Sequence, residues 1–106
     1  KVDPRMVNIE HILPQKPELW GFEPEEIEGF VHNIGNLTLL SKKLNSVVGN
    51  KPMNKKLVEL KKSELPITKH LVDEIVSQNG NWDEQSIVNR GRDLAEISHQ
   101  EIWNED

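Results

Sequence analysis

The sequence predicts an α+β domain, predominantly helical: a two-stranded β-hairpin plus a helix, packed with additional C-terminal helices. Three observations carry this expectation. Two short apolar stretches, Met6 to Leu13 and Asn36 to Leu40, read as strands. From Lys42 onward the apolar residues recur at helical spacing. A hairpin of two strands is not stable alone, so the helices must cover it. The 106 residues suffice for one domain with one modest core, and the whole chain, residues 1–106, is read as a single domain.

The elements follow in order. Val7, Ile9 and Ile12 mark the first strand, which Pro14 and Pro17 end. Trp20 and Phe22 in the next loop are expected core anchors. Pro24 opens a short helix with Glu25 and Glu26 in its first turn, where acids suit the positive helix end. Its buried side is Ile27, Phe30 and Val31, and Asn33 and Gly35 stop it. After the second strand, Ser41 caps a helix from Lys42 to Val48, with Leu44, Val47 and Val48 as its stripe and Gly49 at its end. Pro52 starts another, with Met53, Leu57 and Leu60 on one side and lysines on the other. Ile67, Leu71, Val72, Ile75 and Val76 mark a helix that stops at Asn79-Gly80. Asp83 caps a final long helix whose inward side is Ile87, Gly91, Leu94, Ala95, Ile97 and Ile102, with Trp103 near its end.

Composition excludes several classes. There is no apolar run near the roughly 18 residues a membrane span needs and no secretory signal pattern, so a cytoplasmic protein without membrane contact is expected. No cysteine is present, which rules out disulfides and cysteine-ligated zinc. The chain opens on Lys1-Val2-Asp3-Pro4, which reads as the interior of a longer protein and suggests a C-terminal fragment. The net charge of -5 argues against nucleic acid, but its distribution argues back. Between Leu40 and Lys62 stand seven lysines and one acid, so that segment carries +6 and the remainder -11. A solvated helix face is the plain reading of such a run; phosphate binding is the other.

The chemistry-bearing residues begin with Glu10-His11, set between Ile9 and Ile12. A carboxylate can hold a divalent metal. A neutral histidine can take a proton from water near pH 7, its unperturbed pKa being about 6.5. Neighbours on a regular strand point to opposite faces. Both can serve one site only where the strand bends or ends, which Pro14 allows. Asn36 follows Gly35 and can brace a turn by bonding to backbone amides. Asn45 lies one turn inside a lysine-flanked helix, where asparagine costs propensity; it is either a tolerated polar residue or a functional one. His32 could face the same cleft. His70 and His99 are expected on helices, facing solvent or partly packed. Trp20, Trp82 and Trp103 could stack on bases, although core packing is their expected role. No Gly-rich phosphate loop and no serine or cysteine nucleophile pattern occurs.

Ile9-Glu10-His11-Ile12-Leu13-Pro14-Gln15, then Ile34-Gly35-Asn36-Leu37-Thr38-Leu39-Leu40, then Asn45, resembles the HNH nuclease motif of the ββα-metal, or His-Me finger, group. The pattern is similar to the HNH domain at the C-terminus of GmrSD modification-dependent restriction enzymes. Gly49 to Met53, Lys55-Lys56 and the terminal Ile102-Trp103 extend the likeness over nearly the whole chain. The resemblance implies a ββα-metal core. It implies His11 as general base, Glu10 as acidic metal ligand, Asn36 as the brace of the loop between the strands and Asn45 as second metal ligand. Many HNH motifs have Asp in place of Glu10 and His in place of Asn45. The expected cofactor is Mg²⁺ or Mn²⁺, bound by hard oxygen ligands.

The expected partner is DNA, with Lys42, Lys43, Lys51, Lys55 and Lys56 meeting its phosphates. The resemblance also implies a ParB/sulfiredoxin-like nucleotide-binding domain N-terminal to this chain in the full-length protein. A neutral His11 needs its second ring nitrogen held, and the expected acceptor is a backbone carbonyl across the hairpin. The function expected is a metal-dependent DNA endonuclease domain of bacterial restriction or anti-phage defence. The alternative is a non-catalytic DNA-binding or protein-interaction domain that keeps the fold.

Overall fold

In the computed structural model, residues 4–103 are described, with side chains for residues 5–97. Two strands, β1 (Val7–His11) and β2 (Leu37–Ser41), pair antiparallel, with Glu10 opposite Thr38 and His11 opposite Leu37. Between them runs a long excursion containing the four-residue helix α1 (Pro24–Ile27) and a 3₁₀ turn at Ile34–Asn36. Four helices follow β2: α2 (Lys42–Val48), α3 (Met53–Leu60), α4 (Pro66–Ser77) and α5 (Glu84–Trp103). This is the expected α+β order of a hairpin with helices packed on it.

Local chemistry sets most boundaries. Ser41 accepts from the Leu44 amide at 3.2 Å and caps α2. Asp83 accepts from the Ser86 amide at 2.9 Å at the start of α5. That bond, with a second at 3.0 Å from the Ser86 hydroxyl, holds the Asp83 carboxyl below its ordinary range. In α1 the Glu26 carboxylate accepts from the Glu23 amide at 2.8 Å, and the two form a capping box.

One face of the hairpin is buried. Glu10, Thr38 and Leu40 point inward, and α2 and α4 pack over them. Thr68 of α4 meets Thr38 there, hydroxyl to hydroxyl at 3.0 Å. The core beneath contains Leu60, Leu71, Ile75 and Ile87, all fully buried; burial of each such side chain contributes about 1.5–3 kcal/mol.

Some boundaries and faces differ from expectation. β1 ends at His11, because Ile12 and Leu13 leave the sheet and enter the core. Helix α1 stops at Ile27, so Phe30 and Val31 lie beyond it, although Val31 is still buried. Val47, Ile67, Val76 and Ile97 are exposed, since each lies at the edge of its helix's apolar stripe. Ala95 is exposed as well. The side chains of His99, Ile102 and Trp103 lie outside the described residues.

The end of the excursion is held by α5. Asn33 accepts from the Gly35 amide at 2.7 Å and opens the 3₁₀ turn. α5 lies directly on that turn: a Cβ on Gly35 would collide with the Ile87 carbonyl and the Gly91 amide, and one on Gly91 with the Asn33 side chain. Arg90, one per cent exposed, donates from one guanidinium nitrogen to the carbonyls of Gly35 (3.0 Å) and Leu37 (2.7 Å). It occupies the stripe of Ile87, Gly91 and Leu94. Gly35→Ala is therefore expected to lower stability by about 2 kcal/mol or more, because backbone rather than a mobile side chain must yield. Gly29, with open space around its Cβ position, is the control: Gly29→Ala is expected to stay within about 1 kcal/mol of wild type. Urea denaturation of the two variants side by side measures the contrast.

Candidate active site

Glu10 and His11 occupy the last two positions of β1. The chain then turns inward and is tied down at once. The Ile12 amide donates to the Asn36 carbonyl at 2.9 Å. The Leu13 amide donates to Asn36 Oδ1 at 2.8 Å, and Asn36 Nδ2 returns a bond to the Leu13 carbonyl at 2.9 Å. Asn36 is fully buried and makes two further bonds. Its Nδ2 donates to the Val31 carbonyl at 2.9 Å, and its Oδ1 accepts from Trp82 Nε1 at 3.1 Å. One carboxamide thus joins the segment after His11 to the segment before His32 and to the loop before α5.

With the strand ending there, Glu10, His11 and Asn45 line one open cleft of about 400 Å³, together with Gln15, Lys16 and Asn50. Asn45 Nδ2 donates to Glu10 Oε1 at 3.1 Å. Lys56 reaches the same carboxylate from α3: its Nζ lies 2.8 Å from Glu10 Oε2, 3.0 Å from the His11 carbonyl oxygen and 2.7 Å from that of Ile12. The ammonium is fully buried, with the Trp20 ring 5.7 Å away.

Lys56 therefore departs from the expectation of a phosphate-binding surface lysine. Its long stem lets α3 bury the ammonium, and three acceptors from consecutive residues of β1 and the following turn replace its water. Burial pushes the Glu10 carboxyl up, against the opposing pull of Lys56 and Asn45. Burial pushes the Lys56 ammonium down, against the pull of Glu10. Lys42, Lys43 and Lys55 are exposed, and Lys51 is half-buried, its carbonyl accepting from Trp20 Nε1 at 2.9 Å.

His11 is half-buried, and its Nε2 lies 3.0 Å from Nδ1 of His32, where a backbone carbonyl was the expected partner. The rings meet edge to face, with centroids 5.0 Å apart. Burial, then His32, then Lys56 lower the His11 pKa below its ordinary value, so the ring is neutral near pH 7. His70 is exposed on α4 and lies 3.1 Å from Glu74.

Could these residues hold a hard divalent ion? Among the described residues no group of three His, Cys, Asp or Glu comes together. Glu10 and Asn45, however, are in contact on the wall of an open cleft, and turning the Asn45 amide end for end presents its oxygen beside Glu10 Oε1. Lys56 bonds the other oxygen of the carboxylate, Oε2. One carboxylate and one carboxamide oxygen suit an ion that keeps several waters, as Mg²⁺ does. The donor set fits such an ion.

The model of the family described as GmrSD restriction endonucleases, C-terminal domain, matches residues 1–97. No curated protein and no solved structure matches the chain. Among the described residues no helix is long and apolar enough to cross a membrane.

Proposed function

The chain belongs to the family of GmrSD restriction endonuclease C-terminal domains, and on that premise we propose that it is an HNH-type, metal-dependent DNA endonuclease domain. The single observation that carries the reading is the meeting of Glu10, His11 and Asn45 on one cleft, from two elements 35 residues apart.

Hydrolysis of a phosphodiester needs an activated water, relief of the developing negative charge, and a departing 3′-oxygen. The neutral His11 imidazole takes a proton from the attacking water as the water oxygen bonds to phosphorus and the bond to the 3′-oxygen breaks. Glu10 and Asn45 are the residues that would hold Mg²⁺ or Mn²⁺, whose contribution when bound is charge neutralisation at the phosphate and the 3′-oxygen. Lys56 fixes Glu10 and the backbone of His11 and Ile12 together, so that base and carboxylate keep one relative placement. Lys42, Lys43, Lys51 and Lys55 contact flanking phosphates and supply affinity without reading sequence.

Plasmid nicking with Mg²⁺ or Mn²⁺ tests the reading. Wild type is expected to cut, chelation to stop it, and His11→Ala and Asn45→Ala each to lower the rate at least about 100-fold. Cutting that survives His11→Ala sinks the mechanism. DNA binding by wild type with no cutting under either metal supports the alternative, a non-catalytic DNA-binding domain.

A further inference from the structure

We propose that His32 is a positioning residue for His11: its Nδ1 accepts the Nε2 proton of His11, which leaves Nδ1 of His11 as the lone-pair nitrogen that receives the proton of water. The inference rests on the nuclease reading for its consequence, but the tautomer it assigns can be observed without any activity.

The geometry carries the first step. The two nitrogens lie 3.0 Å apart, a hydrogen-bond distance, so one proton stands between them. Two arrangements are available. If His11 donates from Nε2, its own proton is on Nε2, and His32, accepting at Nδ1, also carries its proton on Nε2. If His32 donates from Nδ1, both rings carry their proton on Nδ1. The Nε2–H form is the more stable one for an unconstrained neutral histidine side chain. The first arrangement therefore keeps both rings in their preferred form, and the second forces both out of it. His32 is exposed, so its Nε2–H is free to meet solvent in the first arrangement. In a neutral imidazole the bond made by one nitrogen decides the role of the other.

The contact is built in, since both histidines sit beside anchored backbone. Asn36 Nδ2 donates to the Leu13 carbonyl, two residues after His11, and to the Val31 carbonyl, one residue before His32. On the other side of His32, the Asn33 amide donates to the Phe30 carbonyl at 3.0 Å. The two ring-bearing segments are thus held by one buried carboxamide. Among the described residues His11 Nδ1 has no hydrogen-bond partner, as its role requires.

Long-range ¹H–¹⁵N correlation spectra of the labelled protein at neutral pH read the tautomer directly. Wild-type His11 is expected to show a protonated Nε2 and an unprotonated Nδ1. In His32→Ala the two His11 nitrogens are expected to move toward averaged values, and the nicking rate constant to fall about 10- to 100-fold with KM for DNA little changed. His32→Asn, whose side-chain oxygen can stand where Nδ1 stands, is expected to restore both the tautomer and most of the rate. A proton on Nδ1 of His11 in wild type, or a His11 spectrum unaffected by His32→Ala, overturns the proposal. If wild type shows no nicking, the nuclease reading fails, and the spectra alone decide the role of His32.

Discussion

Lys56→Met is expected to destabilise the domain by about 3–5 kcal/mol, because it leaves a buried carboxylate without its cation. Methionine keeps the bulk of the lysine stem, so packing is nearly preserved and the loss is electrostatic. Glu10 would retain only the Asn45 contact, while the carbonyls of His11 and Ile12 would lose their donor. Each buried acceptor without a partner costs about 1–3 kcal/mol. The double variant Glu10→Gln/Lys56→Met is expected to recover part of the stability: the orphan charge is gone, but the two carbonyls remain unsatisfied. Lys56→Arg is not expected to behave like wild type, since a planar fork cannot address three acceptors converging on one nitrogen. Urea denaturation of the three variants provides the test. If Lys56→Met costs less than about 1 kcal/mol, the ammonium is not the buried counter-ion of Glu10. The nicking rate is expected to fall with Lys56→Met even where the protein remains folded, since Glu10 and His11 lose their common clamp.

Asn36→Ala is expected to cost about 4 kcal/mol or more. Four groups lose their partner together: the Leu13 amide, the carbonyls of Leu13 and Val31, and Trp82 Nε1. The site is fully buried, so water has little room to replace the side chain. Asn36→Asp separates the roles of the two amide atoms. Its carboxylate still accepts from Leu13 and Trp82, but it faces two carbonyls that need a donor. At neutral pH it is therefore expected to be nearly as damaging as alanine. Thermal unfolding measures both, and a loss below about 1.5 kcal/mol for alanine would falsify the view of Asn36 as the joint between the loops. Activity is expected to follow stability here, because the same amide sets where β1 ends and how close His32 comes to His11.

How legible was this in the chain? Helix caps and apolar stripes were readable, because each depends on residues three or four apart. Ser41 and Asp83 cap their helices by contacts within one turn. The Glu10-His11 pair announced itself by polarity between apolar neighbours. Pro14 allowed the strand to end near it, but the expected end was Leu13, and the end at His11 is set by Asn36 across the loop. Arg90 is a cation at a stripe position, and the fold buries it against the carbonyls of Gly35 and Leu37.

The sequence by itself determined the order of elements and the helix starts, since local spacing and side-chain chemistry suffice for those, while the candidate residues Glu10, His11, Asn36 and Asn45 were singled out by the resemblance of their motif. Only the tertiary structure decided the partners. Lys56 meets Glu10 across 46 residues and His11 meets His32 across 21. Helical spacing places Lys56 beside the Met53, Leu57 and Leu60 stripe and Lys55 opposite it, but does not give the partner that Lys56 meets. That partner is set by the face of α3 turned toward the end of β1, where three acceptors wait and water is excluded.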